Sequence, residues 1–212
     1  MKLEEIESLT KDLQKSFDEL IKLIGKVCIG TPQQFPYGWR KAAKGRTVWR
    51  ILEELITQTL ECNYSELGFD YVKTSDSEVS VYDFECKLNK QPHVIYINIK
   101  SAVEGGRSNK DDISKAEGLK SFFTSDVNKN FYAATFFIRF NTDMSIEIIN
   151  SVAFPLVWLP DIYVNPSNNG NLQSSKFKDI KNAIHRTNEE FYPLFLSAIE
   201  VAAKKKAAKK KA

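Results

Sequence analysis

The chain has 212 residues, 42% of them hydrophobic, with 14 Phe, 8 Tyr and 3 Trp, enough apolar material for a substantial core and most simply for one domain. Three cysteines without CxxC spacing and only two histidines exclude a disulfide framework, a thiolate metal cluster and a multi-histidine zinc centre, so any metal would be a hard ion held by oxygen, such as Mg²⁺. The net charge of +3 depends on the last nine residues, KKKAAKKKA, whose six lysines leave residues 1–203 at −3.

Residues 3–27 place Ile6, Leu9, Leu13, Phe17, Leu20, Ile24 and Val27 at spacings of three and four, the pattern of a helix with one apolar stripe. Such a stripe packs on its own domain or forms a dimer contact, and the helix 1–27 is expected to do one or the other. Residues 29–45, IGTPQQFPYGWRKAAKG, read as a loop ending in a basic run, where Arg40, Lys41, Lys44 and Arg46 either meet phosphates or remain solvated. Thr47 to Cys62 predicts a second helix with Val48, Ile51, Leu52, Leu55 and Leu60 toward the core and Glu53 and Glu54 in its middle.

The stretch from Val81 to Lys100, VYDFECKLNKQPHVIYINIK, predicts two strands joined through Leu88 to Pro92. In the second strand Ile95, Ile97 and Ile99 alternate with Tyr96, Asn98 and Lys100, which assigns the first set to a core and the second to an exposed face. Val79, Val81, Asp83 and Glu85 share a face of the first strand, and hairpin pairing carries Asp83 toward Asn98 and Lys100. A carboxylate, a second oxygen and a lysine converging on a strand pair form a candidate site for a divalent metal and a phosphate.

Residues 103–112, VEGGRSNKDD, form a polar loop beyond the end of that strand, with Arg107, Asn109 and Lys110 as candidate DNA contacts. Ser114 to Thr124 reads as helix, and Asn130 to Phe140 as an aromatic strand suited to the centre of a sheet beside the Lys100 strand. Ser145 to Trp158 supplies one or two further strands. The turn-rich residues 159–173 contain Asn165, Asn168, Asn169, Asn171 and Gln173. Amides there serve turns, or pair with adenine in a major groove. Phe177 to Val201 closes a single unit, residues 1–203, as a helical region. The lysine-rich tail 204–212 is expected to be disordered or frayed helix, either a loose phosphate grip or a solubilising extension. No apolar run spans a bilayer and the amino terminus is not signal-like, so a soluble cytoplasmic protein without membrane association is expected.

Asp83, fourteen intervening residues and Asn98-Ile99-Lys100 resemble the motif of the PD-(D/E)XK nucleases. The order of elements and the run DFECKLNKQPHVIYINIKS are similar to type II restriction endonucleases of the EcoRV and SwaI kind, as is RTNEEF at Arg186 to Phe191. The resemblance covers about residues 45–200. It implies an α/β (α+β) fold with a central mixed β-sheet flanked by helices, and a homodimer around double-stranded DNA. It further implies Mg²⁺-dependent hydrolysis at a short palindromic sequence, with 5′-phosphate and 3′-hydroxyl ends. Asp83, the Asn98 side chain and the Ile99 carbonyl would then hold the metal, with Asp83, Asn98 and Lys100 as the catalytic set. The loops carrying Arg107, Asn109, Lys110, Asn165, Asn168 and Asn169 would read DNA.

One departure stands out: the second acid of the motif is Asn98, and an amide holds Mg²⁺ more weakly than a carboxylate. Either the asparagine is native to an active enzyme or it disables one. Glu85, or an acid on the preceding helix at Glu53 or Glu54, would be the source of a missing charge. A repair or phage nuclease that reads DNA structure, and an inactive DNA-binding variant, are the competing functions.

Overall fold

In the computed structural model the described residues are 1–40, 43–75, 77, 80–106, 109–167 and 170–211, with side chains at 43–47 and beyond 209 set aside. Helix α1 (Leu3–Ile24) is followed by strand β1 (Lys26–Cys28), helix α2 (Ala43–Asn63), β2 (Phe69–Thr74), β3 (Phe84–Leu88) and β4 (Val94–Val103). Then come β5 (Asp111–Lys115), α3 (Ala116–Ser125), β6 (Asn130–Phe140), β7 (Ser145–Pro155), β8 (Tyr163–Val164), β9 (Asn171–Ser174) and α4 (Asn188–Lys211).

The main sheet has six strands in the order β1-β7-β6-β4-β3-β2. It is mixed, because β4 and β6 run parallel while the other neighbouring pairs are antiparallel. A parallel pair needs a crossover, which the chain supplies through β5 and α3. A second, three-stranded sheet pairs β5, β9 and β8. The α+β class, a central mixed sheet flanked by helices, is as the sequence led one to expect.

Two cores form on the sheet. One gathers Leu9, Leu13, Phe17 and Leu20 of α1, Val48, Leu52, Ile56 and Leu60 of α2, and the inward residues of β3 and β4. The other joins α3 and α4 through Phe123, Phe191 and Phe195 to Phe131 and Ala133 of β6. The apolar stripe of α1 is thereby buried within its own chain, with Leu9, Leu13, Phe17 and Leu20 each 0% exposed. A seam for a second copy would have to use another face of that helix. In α2, Ile51 is 48% exposed, and Ile56 takes the inward position assigned to it. Leu55 and Ile51 lie at the margin because a helix turns through 3.6 residues and Leu52-Ile56-Leu60 already defines the stripe.

The lysine tail differs from expectation. It continues α4 as helix to Lys211 rather than fraying, with Ala and Lys both good helix formers. The RTNEEF run also has a local physical role. Thr187 begins α4 with a capping box: its backbone N–H donates to the Glu190 carboxylate at 2.7 Å, and the Glu190 N–H donates to the Thr187 hydroxyl at 3.4 Å.

Candidate active site

The hairpin forms with β3 ending at Leu88 and β4 starting at Val94; Lys90 occupies a left-handed conformation in the turn. Pairing places Phe84 opposite Ile97 and Glu85 opposite Tyr96, so Asp83, one residue before β3, lies at the level of Asn98. Ile95, Ile97 and Ile99 enter the core under α1 and α2, as alternation required. The other face is not exposed, contrary to the period-two reading. Tyr96 packs against Tyr82 at 5.0 Å and Phe122 at 4.9 Å between ring centroids, and Asn98 is only 8% exposed. The reason is that β4 is interior to the sheet and α3 covers its second face.

Burial makes every polar atom here accountable. The Asn98 amide nitrogen donates to the Val81 carbonyl at 2.9 Å, while its Oδ1 is buried and has no hydrogen-bond partner. The backbone N–H of Asp83 donates to Ile97 O at 2.8 Å, and the Asp83 carboxylate accepts the Ile99 N–H at 2.5 Å. Because N–H and C=O of one strand residue point to the same edge, the Ile99 carbonyl faces the Asp83 side too. One carboxylate, an orphaned amide oxygen and a backbone carbonyl therefore share a neighbourhood. Hard cations take such oxygen donors, and the unpartnered Asn98 oxygen is the feature that fits one. Among the described residues, no three His, Cys, Asp or Glu side chains gather as a metal-binding group.

The electrostatics widen the site beyond the motif. Burial raises the Asp83 pKa, opposed by the Ile99 hydrogen bond and the charges of Lys100 and Arg50. Burial lowers the Lys100 pKa, opposed first by Asp83 and then by Asp112, Glu53 and Asp111. Glu53 is raised by burial and by Asp83, and held down by Arg50 and Lys100. Of the two helical glutamates, Glu53 is thus the one in the field of the site. Glu54 is exposed and accepts from Gln58 at 2.7 Å. Glu85 lies one register step deeper in the hairpin, opposite Tyr96, and its charge acts on Tyr71, Tyr96 and Cys86.

Asp111 and Asp112 were missed by sequence reasoning, which placed them at the end of a polar loop. They open β5, whose pairing with β9 brings them near Lys100. The Asp112 carboxylate accepts from the Asn171 amide at 2.9 Å and the Gln173 amide at 2.5 Å, and Asp111 pairs with Lys178. The paired aspartates directly after the loop were the available signal, though only the second sheet gives them an orientation.

The six candidate DNA contacts separate. Asn109 is exposed and lines a cleft of about 710 Å³ with Ser101, Lys176, Lys178 and Asn182. Lys110 places its ammonium 4.2 Å from the centre of the Tyr163 ring. Asn165 organises its turn, accepting the Ser167 N–H at 2.9 Å and donating to Gln173 Oε1 at 3.0 Å. Arg107, Asn168 and Asn169 lie outside the described residues, as does Val79.

No helix among the described residues is long and apolar enough to cross a membrane. No family model matches the chain, and no curated protein matches it. Among solved structures the chain is similar to the NlaIV restriction endonuclease, at 15% identity and a TM-score of 0.42, over 78% of this chain and 75% of that one.

Proposed function

We propose that the chain is a Mg²⁺-dependent endonuclease of the PD-(D/E)XK superfamily that hydrolyses phosphodiester bonds in double-stranded DNA. The specific reading is a type II restriction enzyme acting as a homodimer on a short palindrome and leaving 5′-phosphates. The observation that carries it is the meeting of Asp83, the orphaned Asn98 Oδ1, the Ile99 carbonyl and Lys100 on two adjoining strands.

Phosphodiester hydrolysis needs an activated water, relief of the charge developing on the phosphate oxygens, and protonation of the leaving oxygen. Asp83, Asn98 Oδ1 and Ile99 O are the groups that would hold Mg²⁺, which when bound acidifies water and offsets that charge. Lys100 serves the transition state in either protonation state. As an ammonium its Nζ donates to a non-bridging phosphate oxygen, and as an amine it accepts a proton from the attacking water. Its lowered pKa brings the amine form within reach of milder pH, and the acids around it keep the ammonium accessible. Asp83 orients the edge by fixing the Ile99 N–H, and Glu53 adds negative charge from α2.

The Asn98 amide favours a second reading, a nuclease scaffold whose cation affinity is too low for turnover. Incubating the chain with a long DNA of known sequence in Mg²⁺ and in Mn²⁺, and mapping the ends, separates the cases. Discrete fragments with 5′-phosphates support the restriction enzyme. A smear, or cutting confined to junctions, supports a structure-reading nuclease. Absence of cutting in both metals, with vigorous cutting by Asn98→Asp, supports the disabled scaffold.

A further inference from the structure

Residues 29–52 contain five Lys or Arg and no Asp or Glu, in a chain that is otherwise charge-mixed. The described part of the preceding loop, Ile29 to Arg40, is held firmly to the body of the molecule. The Trp39 indole N–H donates to Asn141 O at 2.9 Å, its ring meets Phe140 edge-on at 5.0 Å, and Phe35 stacks on it at 6.2 Å. Gly30 admits the Phe35 ring, since a Cβ there would fall 2.6 Å from it. Thr31 and Gln34 bond reciprocally across the turn, backbone N–H to side-chain oxygen, at 3.0 and 3.3 Å.

This ordered loop nevertheless presents aromatic surface to solvent. Tyr37 is 80% exposed, Phe35 41% and neighbouring Ile51 48%, around a cavity of about 340 Å³. The Arg40 guanidinium stands 5.1 Å from the centre of the Tyr37 ring. A pinned loop that holds out a tyrosine beside an arginine, within an acid-free segment, has the charge and the π-surface of a nucleic-acid contact. Its place agrees. Arg50 lies three residues before Glu53 and on the same face of α2, about 4.5 Å along the axis at 1.5 Å per residue, its guanidinium 3.5 Å from the Glu53 carboxylate, and its charge acts on Asp83.

We infer that residues 29–40 form a second DNA contact beside the Asp83–Lys100 site, in which Tyr37 stacks on a base exposed from the helix while Arg40, with Arg50 of α2, neutralises phosphates. The inference rests on the nuclease reading for the location of the DNA. The contact itself follows from the loop.

The test is binding, read separately from cleavage. Fluorescence anisotropy of fluorescein-labelled DNA, duplex and single-stranded, is measured with the whole chain in Ca²⁺ for wild type, Tyr37→Ala, Tyr37→Phe and Arg40→Ala. Tyr37→Ala is expected to weaken binding about tenfold with an unchanged melting temperature, Tyr37→Phe to retain affinity, and the single strand to be the more affected. Arg40→Ala should flatten the slope of log K against log salt by about one. Unaltered affinity in Tyr37→Ala overturns the inference, and so does equal loss in Tyr37→Phe. A shift from dimer to monomer in Tyr37→Ala, with DNA affinity kept, would instead assign the patch to a second copy of the chain. If wild type cuts no DNA in any metal while binding still follows Tyr37, the nuclease reading fails and the contact stands. If wild type cuts and Tyr37→Ala binds as well as it does, the contact alone fails.

Discussion

The Asp83 carboxylate accepts the backbone N–H of Ile99 at 2.5 Å, at the point where β3 has not yet begun and that edge of β4 would otherwise lack a partner, the other edge being paired with β6. A side chain thus continues the hydrogen-bond ladder, and the charge of Lys100 acts on the same carboxylate. Asp83 therefore has a structural duty besides any chemical one. Asp83→Ala leaves a buried N–H unsatisfied and should lower unfolding stability by about 1–3 kcal/mol, whereas Asp83→Asn keeps an acceptor and should cost less. Cleavage should be lost in both. Urea denaturation of the two variants checks the difference, and equal stability of Asp83→Ala and wild type would remove the structural role.

Lys100→Ala should abolish cleavage by orders of magnitude while leaving DNA affinity within a few-fold, because the amine acts mainly on the transition state. Single-turnover rates and filter binding separate the two effects. Undiminished single-turnover cleavage would take Lys100 out of the chemistry.

The same lysine makes stability depend on pH in a definite direction. Burial lowers its pKa in the folded state, so the unfolded chain holds the proton more tightly. The cost is fully present below the folded-state pKa and disappears as pH rises from there to the ordinary value of 10.5. The stability advantage of Lys100→Met over wild type should therefore shrink on going to alkaline pH. Asp83 behaves in the complementary way. Its raised pKa makes the folded state bind the proton more tightly, and stability is lost as pH rises from the ordinary value of 3.8 through the folded-state pKa. Chemical denaturation across pH, wild type against each variant, measures both slopes.

Asn98→Asp exchanges a donor to Val81 O for a second carboxylate beside Asp83 and Glu53. Without divalent ions this variant should melt below wild type, by charge repulsion and a lost hydrogen bond. With Mg²⁺ its melting temperature should rise more than that of wild type, because cation binding to the folded state adds stability by mass action. Thermal scans over a Mg²⁺ series decide the matter: a shift no greater than that of wild type would place the ion elsewhere.

Asp112→Asn removes an anion that favours the charged form of Lys100. The lysine should titrate at lower pH, and the lysine-dependent limb of the cleavage pH profile should move in the acid direction. An unmoved limb would confine Asp112 to bracing β9 through Asn171 and Gln173.

Deleting residues 204–212 removes six lysines carried on the last turns of α4, where the Lys209 ammonium reaches the Ser167 hydroxyl at 3.3 Å. Non-specific DNA affinity should fall and its salt dependence flatten. The salt slope of a random-sequence duplex provides the check, and an unchanged slope would reduce the tail to a solubilising extension.

Periodicity by itself determined α1 as far as Ile24, the β3–β4 hairpin, β6 and the approach of Asp83 to Asn98, since spacings of 3.6 and two translate directly into faces; it carried the helix on to Val27, whereas Gly25 ends α1 and Val27 pairs with Ile146 in β1. It could not determine how deeply those faces are buried, which depends on what packs above them. Only the tertiary structure made β4 an interior strand, sealed the Asn98 amide from solvent and left its oxygen without a partner. Only the second sheet brought Asp111 and Asp112 toward Lys100, and only the packing of α2 distinguished Glu53 from Glu54. Those relationships join residues distant in the chain, whose registers follow from the assembled cores and not from any local pattern.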